Sequence, residues 1–218
     1  MKVQAGVLWQ RGGAWKVEDV DLGDPAPGEV LVRIAASGIC HSDDHSVTGD
    51  VLTPLPMVGG HEGAGTVVAV GEDVSRVAVG DHVILTAIPA CGKCRWCSSG
   101  RANLCDQGAA AMTVETYDGT VRRHVGDTPI SALCQLGTFS DHVVVSEMQT
   151  VPIADDIPLG IAALIGCGVT TGLQASTKVG EVRPGDAVVV QGVVIESQQA
   201  VAEPLALAFA GGAGQVFL

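Results

Sequence analysis

The sequence predicts a β-rich barrel or sandwich over about the first 150 residues, followed by a helical stretch and the start of an α/β unit. Short segments in the first part alternate apolar and polar residues with a period of two, as strands do. The turns between them repeat one pattern, in which glycine and an acidic residue come directly before a strand. Beyond residue 156 the pattern changes to a long run without charged residues.

Four segments carry the strand pattern most clearly: 29–36 (EVLVRIAA), 65–70 (GTVVAV), 81–88 (DHVILTAI) and 141–148 (DHVVVSEM). The repeated turn occurs three times, as Pro27-Gly28-Glu29, Val79-Gly80-Asp81 and Pro184-Gly185-Asp186. Because each turn directly precedes an apolar run, it fixes where a strand begins.

The composition excludes several classes of function. A chain of 218 residues with 47% hydrophobic content can form one large or two small domains with a core. A net charge of −12 argues against nucleic acid as a partner, because binding to phosphates requires clustered lysine and arginine. The first ten residues lack the apolar run of a signal peptide, so a cytoplasmic location is expected. Because that compartment is reducing, the seven cysteines are expected to bind metal rather than form disulfides.

Residues 157–177 form a 21-residue segment without charge, close to the length of a membrane span. Pro158, four glycines and a Thr-Thr pair interrupt it, and no basic cluster flanks it. The segment therefore predicts a buried helix and turn, and no membrane partner is expected.

The motif CGKCRWCSSGRANLC gives the strongest chemical signal. It places Cys91, Cys94, Cys97 and Cys105 at a spacing that can close a tetrahedral shell of four thiolates around zinc. An iron-sulfur cluster is the chemical alternative, whereas buried apolar cysteines would not alternate with lysine, arginine and serine. A closed shell has no open position, so a zinc ion here would hold a lobe in shape.

A second set of metal-binding residue types is scattered along the chain, with Cys40 in SGICHSDDH, His61 and Glu62 in VGGHEGAG, and Cys167 in LIGCGVTTG. Taken singly, Cys167 is typical of a core cysteine and His61 of a hydrogen-bonded histidine. Each, however, lies beside glycine, where backbone can approach a ligand closely. Two thiolates and one imidazole would make a three-ligand zinc site with one position open for water or substrate.

These motifs resemble those of zinc-dependent medium-chain alcohol dehydrogenases over residues 1–192. In addition to the cysteine lobe, the GHE signature is followed at the family's spacing by Gly65, Gly71 and Val74. The resemblance implies a GroES-like, partly open β-barrel that carries two zinc ions in residues 1–156. Residues 157–218 would be a connecting helix and an incomplete Rossmann-type unit. The resemblance also implies NAD(P) as the cofactor, an alcohol or aldehyde as the substrate, and assembly into homo-oligomers. Most of the domain that usually forms the oligomer interface is, however, not expected in this chain.

The resemblance makes Cys40, His61 and Cys167 the ligands of the catalytic zinc, with Glu62 beside the metal. Zinc would lower the pKa of the alcohol so that a hydride can leave for nicotinamide. Ser42 and His45 match the family's proton relay to solvent, although without the flanking motif they would be interpreted as a turn hydroxyl and a surface histidine.

Other positions receive supporting roles from the same resemblance. Asp43 would orient the histidine ligand. His41, Thr171 and Gly192 would contact the dinucleotide. Cys134 has no partner in either cluster and is assigned to the core.

The segment GDAVVVQGVVIES, residues 185–197, predicts impaired cofactor binding. It begins as the first strand of a dinucleotide-binding unit, and Gly192 supplies the first glycine of the fingerprint. Val194 and Ser197 stand where the second and third glycines are needed, and Glu196 adds a negative charge near the phosphates. The acidic residue that would bind ribose about 20 residues later is also not found. Residues 197–212 have helix-forming composition, interrupted by Pro204.

Three functions remain open from the sequence. The first is an active dehydrogenase, including a thiol-adduct formaldehyde dehydrogenase relative, whose motifs are the same. The second is a catalytically inactive two-zinc barrel. The third is an interaction module built around the zinc lobe, for which the four-cysteine motif is the support.

Overall fold

A computed structural model describes residues 1–108, 116 and 119–187 and the backbone of Ala208–Gly211 and Ala213–Gly214. The strands predicted from the alternating pattern all form in it, at Glu29–Ile39, Glu62–Val70, His82–Leu85 and His142–Ser146. Gly28 and Gly80, which precede two of these strands, have φ values of 75° and 99°. Because L-residues with a side chain rarely adopt this conformation, glycine is what permits these two turns.

The described β-strands, numbered in chain order, are β1 Lys2–Leu8, β2 Lys16–Leu22, β3 Glu29–Ile39, β4 Met57–Val58, β5 Glu62–Val70, β6 His82–Leu85, β7 Arg123–Val125, β8 Thr128–Pro129, β9 Ser131–Ala132, β10 His142–Ser146, β11 Thr150–Pro152, β12 Ala208–Gly211 and β13 Ala213–Gly214. The α-helices are α1 His41–Thr48, α2 Arg95–Ser98, α3 Leu159–Ala162 and α4 Gly168–Gln174. Single turns of 3-10 helix occur at Ala102–Leu104, Leu133–Gln135, Glu147–Gln149 and Ala163–Gly166, and a π-helical turn at Ala175–Val179.

The strands form two sheets that meet in a nearly closed barrel. One sheet has the order β8-β7-β2-β1-β4-β9, and the other has the order β11-β6-β5-β3-β12-β13, with β10 also paired to β3. The segment after Leu136 joins the sheets, because the Gly6 amide donates to the Phe139 carbonyl at 2.7 Å and the Asp141 amide to the Gln4 carbonyl at 3.1 Å. The predicted β-barrel over about the first 150 residues is therefore confirmed.

Two apolar clusters fill the barrel. One surrounds Val7, Val20 and Phe139, and the other surrounds Val32, Val83 and Val143. Cys134 packs against the second cluster, as expected for a core cysteine. A smaller cluster joins Ala36, Ala64 and Ile84 of the sheet to Ala162 and Ala163, so the turn after α3 is fixed against the barrel wall.

The uncharged segment 157–177 was predicted to be a buried helix and turn; it is mostly helical with a break, but its second half is exposed rather than buried. Ala162 and Ala163 are buried, whereas Val169, Leu173 and Val179 are exposed among the described residues. The helix breaks at Cys167, whose φ and ψ of −139° and −70° are not helical. In the described part of the chain, no single helix is long and apolar enough to span a membrane. Leu159–Gly166 and Gly168–Val179, which are bent by 53° relative to each other, reach that length and composition only as a pair.

The C-terminal residues were predicted to be strand and then helix. All but the first residue of the strand expected from Ala187 to Val190 lies outside the described residues. The same is true of Gly192, Val194, Glu196, Ser197 and Pro204. Within the stretch of helix-forming composition, Ala208–Gly211 is a strand that pairs in parallel with the end of β3 at Gly38 and Ile39. Pairing with an open strand edge here outweighs local helix propensity.

A buried arginine supports the segment that joins the sheets. Arg123 is 5% exposed, and its guanidinium donates to the Leu136 carbonyl at 3.0 Å and the Val144 carbonyl at 3.2 Å. Burial lowers the pKa of Arg123 to about 10, partly offset by the charge of Glu29. The side chain thus fixes the start of the segment that leads to Phe139.

We expect Arg123→Met to lower the free energy of unfolding by about 1–3 kcal/mol, because two buried carbonyls lose their charged donor. Urea denaturation followed by circular dichroism measures the change. Arg33→Met on the exposed side of β3 is the matched control and should stay within about 0.5 kcal/mol of the parent. An unchanged or more stable Arg123 variant would mean that the cost of burying the charge exceeds the value of its bonds.

Candidate metal centres

The four cysteines of the lobe converge as their spacing predicts. Their sulfur atoms all lie within 4.8 Å of one another. The chain turns back on itself around them, through α2 and the 3-10 turn Ala102–Leu104. Backbone amides point at the sulfurs, with Cys94 N donating to Cys91 Sγ at 3.3 Å and Cys97 N to Cys94 Sγ at 3.5 Å.

These amide bonds stabilise thiolates. Backbone donors from Cys97 and Asp106 lower the pKa of Cys94 to about 6, and backbone donors from Lys93 and Cys94 lower the pKa of Cys91. Partial burial and the neighbouring cysteines instead raise the pKa of Cys97 to about 11. Four thiols in one place cannot all ionise without a cation, because like charges this close repel. The lobe is therefore a set of four donor groups whose combined negative charge a bound cation would balance.

The lobe is held to the barrel at its base. Arg76 Nη2 donates to the Ala90 carbonyl at 2.6 Å, directly before Cys91. Glu147 in turn accepts the backbone amides of Ser75 and Arg76, at 2.9 and 3.1 Å. The Ala90 amide also donates to the Met148 carbonyl at 3.2 Å. These contacts fix the first cysteine of the lobe relative to the sheet.

The second set of residues comes together from three distant segments. Cys40 follows β3, His61 precedes β5, and Cys167 lies at the break between the 3-10 turn and α4. Their ligand atoms lie within 4.8 Å of one another, and the Cys40 and Cys167 sulfurs are 4.0 Å apart. His61 is buried, whereas both cysteines are half-buried, so the cluster opens towards the surface on its sulfur side.

Antiparallel pairing of β3 and β5 accounts for two of the three positions. Gly38 lies opposite Glu62, so Cys40, two residues later, and His61, one residue earlier, meet at the same end of the sheet. Ala162 and Ala163 pack on the sheet, and this contact places Cys167 beside Cys40 and His61. A Cβ on Gly166 would collide with the Leu85 carbonyl, so this approach requires glycine.

Asp43 organises the site from the first turn of α1. Its Oδ2 accepts the Cys40 amide at 2.9 Å and its Oδ1 accepts the Gly60 amide at 3.0 Å. His61 Nδ1 lies 3.4 Å from the same Oδ1. With its proton on Nδ1 and donated to Asp43, the imidazole presents Nε2 as the free ligand atom.

The three clustered groups form an acid-base set. Hydrogen bonds with Cys167 and His61 lower the pKa of Cys40 to about 3. The bond with Cys40 raises the pKa of Cys167 above its ordinary value. Burial lowers the pKa of His61, but bonds with Asp43, Cys167 and Cys40 outweigh that effect and raise it. The hydrogen bonds thus favour the thiolate form of Cys40, which is the form that binds a metal.

Glu62 lies directly behind this set. Its Oε1 accepts the Gly168 amide at 2.8 Å, whereas its Oε2 is buried and unpartnered. Burial raises the pKa of Glu62. A Cβ on Gly38 would collide with the carboxylate, so β3 must carry glycine there.

The remaining predicted positions are less closely grouped. Cys40 Sγ lies 3.8 Å from Ser42 Oγ, so the hydroxyl is beside the cluster. His45 is farther along α1, where Nδ1 lies 3.2 Å from Asp50 Oδ2 and the ring stacks on His41 at 4.3 Å. Thr171 is exposed on α4.

The chain matches known proteins over most of its length. Residues 26–155 match the family model described as "Alcohol dehydrogenase GroES-like domain". The chain belongs to the zinc-dependent alcohol dehydrogenase family. It is 45% identical over 193 residues to an NDMA-dependent alcohol dehydrogenase from Amycolatopsis methanolica, covering 88% of this chain and 52% of the relative. The chain thus spans about half the length of the curated relatives it matches.

Solved structures of the family agree with the fold. An alcohol dehydrogenase zinc-binding domain protein from Burkholderia ambifaria superposes with a TM-score of 0.78 at 33% identity, over 84% of this chain and 50% of the other. A benzyl alcohol dehydrogenase from Acinetobacter calcoaceticus gives 0.74 at 28% identity, over 82% and 48%. The GroES-like architecture expected from the resemblance is therefore confirmed.

Both clusters of this alcohol dehydrogenase family member fit zinc by donor type and spacing. Two sulfurs bound to a tetrahedral zinc ion at 2.3 Å are about 3.8 Å apart, close to the 4.0 Å between Cys40 and Cys167. Four thiolates suit a closed tetrahedral shell, and two thiolates with one imidazole suit an open one. Among the described residues, these are the two groups of at least three cysteine, histidine or acidic side chains arranged to hold a metal.

Sequence reasoning missed one polar contact behind the site. Thr138 is buried, and its Oγ1 lies 2.7 Å from Ser37 Oγ. Thr138 and Phe139 come just before a predicted strand, and a threonine in that position is typical of a strand. The sequence therefore did not indicate a role for Thr138 at the site. Only the folded chain brings it beneath Gly60–Gly63.

We expect Cys40 in the metal-free chain to react with iodoacetamide at a rate that changes little between about pH 5 and pH 8, because its lowered pKa leaves it as thiolate throughout. Peptide mass spectrometry after timed alkylation measures the rate at each cysteine. Cys97 is the internal control, since its raised pKa predicts a rate that increases roughly tenfold per pH unit. A Cys40 rate with that same steep dependence would contradict the assigned ionisation.

Proposed function

We propose that this chain is the zinc-binding part of an NAD(P)-dependent alcohol dehydrogenase that oxidises an alcohol to an aldehyde or ketone. The observation that carries the proposal is the convergence of Cys40, His61 and Cys167 on one open site, beside a separate closed set of four cysteines. A zinc ion in the first site would be catalytic and one in the lobe structural, giving two per chain.

The residues around the open site have distinct roles in this proposal. A bound zinc would act as a Lewis acid towards the substrate oxygen. Asp43 holds the imidazole of His61 in the tautomer that presents Nε2, and ties Cys40 and Gly60 to the same carboxylate. Ser42, 3.8 Å from Cys40 Sγ, would take up the proton lost by the alcohol while giving up its own hydroxyl proton, which His45 would pass to solvent.

Glu62 would lie beside the metal as a buried acidic group. Its Oε1 is fixed by the Gly168 amide, next to Cys167, so the carboxylate couples two of the ligand-bearing segments. Its unpartnered Oε2 is on the side of Gly38, at the end of β3 that leads to Cys40. A change at Glu62 would therefore alter both cysteine positions.

Dinucleotide binding would involve a separate set of residues. His41 and Thr171 would contact the dinucleotide, and Gly192 would form the turn at its pyrophosphate. Val194, Ser197 and Glu196 oppose that contact by bulk and charge, so we propose that dinucleotide binding is impaired and that a two-zinc barrel without turnover is the alternative function. The thiol-adduct formaldehyde dehydrogenase reaction is a further alternative within the family.

Other features stay predictions. The division into residues 1–156 and 157–218 follows the family pattern, although the contacts of Ala162 and Ala163 with the sheet attach the start of the second part firmly to the first. Assembly into homo-oligomers and a cytoplasmic location rest on the resemblance and on the sequence.

We expect two zinc ions per chain, one of which is lost in each of two variants. Cys167→Ala should empty the open site with a small change in thermal stability, whereas Cys94→Ala should empty the lobe and lower the melting temperature clearly. Elemental analysis and differential scanning calorimetry on the same samples measure both effects. Cys134→Ala is the matched control and should retain both ions. A parent protein with one zinc ion or none would contradict the two-site proposal.

We expect the 218-residue chain to bind NADH with a dissociation constant far above micromolar and to show no measurable alcohol oxidation, although both zinc sites are filled. Fluorescence titration with NADH and an alcohol assay with NAD, NADP and NDMA as acceptors measure this. Gly at positions 194 and 197 should improve binding only slightly, because Glu196 remains. Micromolar binding with turnover would instead support an active dehydrogenase.

A further inference from the structure

Thr138 occupies the space left by two glycines that flank His61 and Glu62. A Cβ on Gly60 would collide with Thr138 Oγ1, and a Cβ on Gly63 would lie 2.6 Å from its Cγ2. Gly60 also has a φ of 86°, which disfavours any residue with a side chain. The hydroxyl and the methyl of one side chain are thus seated against the backbone on either side of the His-Glu pair.

The same hydroxyl connects the two strands that lead to the ligands. Thr138 Oγ1 lies 2.7 Å from Ser37 Oγ, three residues before Cys40, and it lies 3.5 Å from the Glu62 carbonyl, one residue after His61. The Thr138 amide donates to the Gly60 carbonyl at 3.0 Å. Thr138 is 1% exposed and Ser37 is 7% exposed, so water does not compete for these contacts.

We propose that Thr138 is a positioning residue for the open metal site, whose hydroxyl sets the separation of Cys40 and His61 by bonding to Ser37 on one strand and facing the Glu62 carbonyl on the other. This inference rests on the proposed function, because it requires that Cys40, His61 and Cys167 hold a metal. The lobe of four cysteines is independent of Thr138, because its contacts with the barrel run through Arg76, Ala90 and Met148.

Two variants separate the hydroxyl from the volume it fills. Thr138→Val keeps a similar shape but removes the 2.7 Å bond to the Ser37 hydroxyl, which retains its 3.5 Å contact with the Gly38 carbonyl. Thr138→Ser keeps the hydroxyl and removes the methyl beside Gly63. If Thr138 only fills space, the serine variant is the more damaging one. If Thr138 positions the ligands, the valine variant should weaken metal binding at the open site more than the serine variant does.

The test loads the full 218-residue chain with Co²⁺, whose visible absorption reports the geometry and number of its ligands. In the parent we expect two cobalt ions, with the open-site ion released first by a chelator. In Thr138→Val we expect that ion to bind at least about tenfold more weakly and with a shifted absorption band, since a partner that orients metal ligands contributes about that much. Thr138→Ser should match the parent, and the lobe ion should be unchanged in both.

Controls keep the outcomes distinct. Thr150→Val removes another buried hydroxyl, which donates to the Glu147 carbonyl at 2.9 Å, and should leave the cobalt spectrum of the open site unaltered. If Thr138→Val does not fold, Ser37→Ala removes the same bond from the other side and should weaken the same ion. A parent with one cobalt ion, in the lobe alone, would overturn both the proposed function and this inference. A parent with two ions and a valine variant with parental affinity and spectrum would overturn the positioning role alone.

Discussion

The pairing of β3 with β5 is the contact on which the site depends. It places Gly38 opposite Glu62 and so brings Cys40 and His61 to one end of the sheet. The pairing there needs bare backbone, since a side chain on Gly38 would collide with the Glu62 carboxylate and one on Gly65 with the Arg33 carbonyl. The glycines around the GHE signature are thus structural requirements of a close strand approach as much as neighbours of a ligand.

Charge then decides what the assembled cluster can hold. Asp43 and Glu62 are buried acidic residues, and Cys40 adds a thiolate, against one imidazole. Hydrogen bonds to the backbone amides of Cys40, Gly60 and Gly168 offset part of the cost of burying these carboxylates. The excess of negative charge around one open space is what a divalent cation would balance. This gives a physical reason for the same residues to be ligands, independently of the family pattern.

The two metal sites are built in different ways. The lobe brings four ligands together within 15 residues, and its amide-to-sulfur bonds are almost entirely local. The open site collects ligands from residues 40 to 167, so it exists only when the barrel is closed and the turn after α3 is packed on it. Loss of packing should therefore affect the open site before the lobe. Such a difference agrees with the structural role proposed for the lobe and the catalytic role proposed for the open site.

Four of the strands, the cysteine lobe and the ligand candidates could be predicted from the amino-acid sequence alone. Alternation and the Gly-acid turns act locally, and the four cysteines are close in sequence, so both could be predicted without a fold. Features that depend on contacts between distant residues could not be predicted in this way: the exposed second half of the uncharged segment, the strand at Ala208–Gly211, the buried Arg123, and Thr138 beneath Gly60 and Gly63. None of these has a local signature, because an arginine or threonine in a strand-like context is ordinary until the chain closes around it. Packing of Ala162 and Ala163 against the sheet places Cys167 next to Cys40, a proximity that the resemblance implied and that depends on this long-range contact.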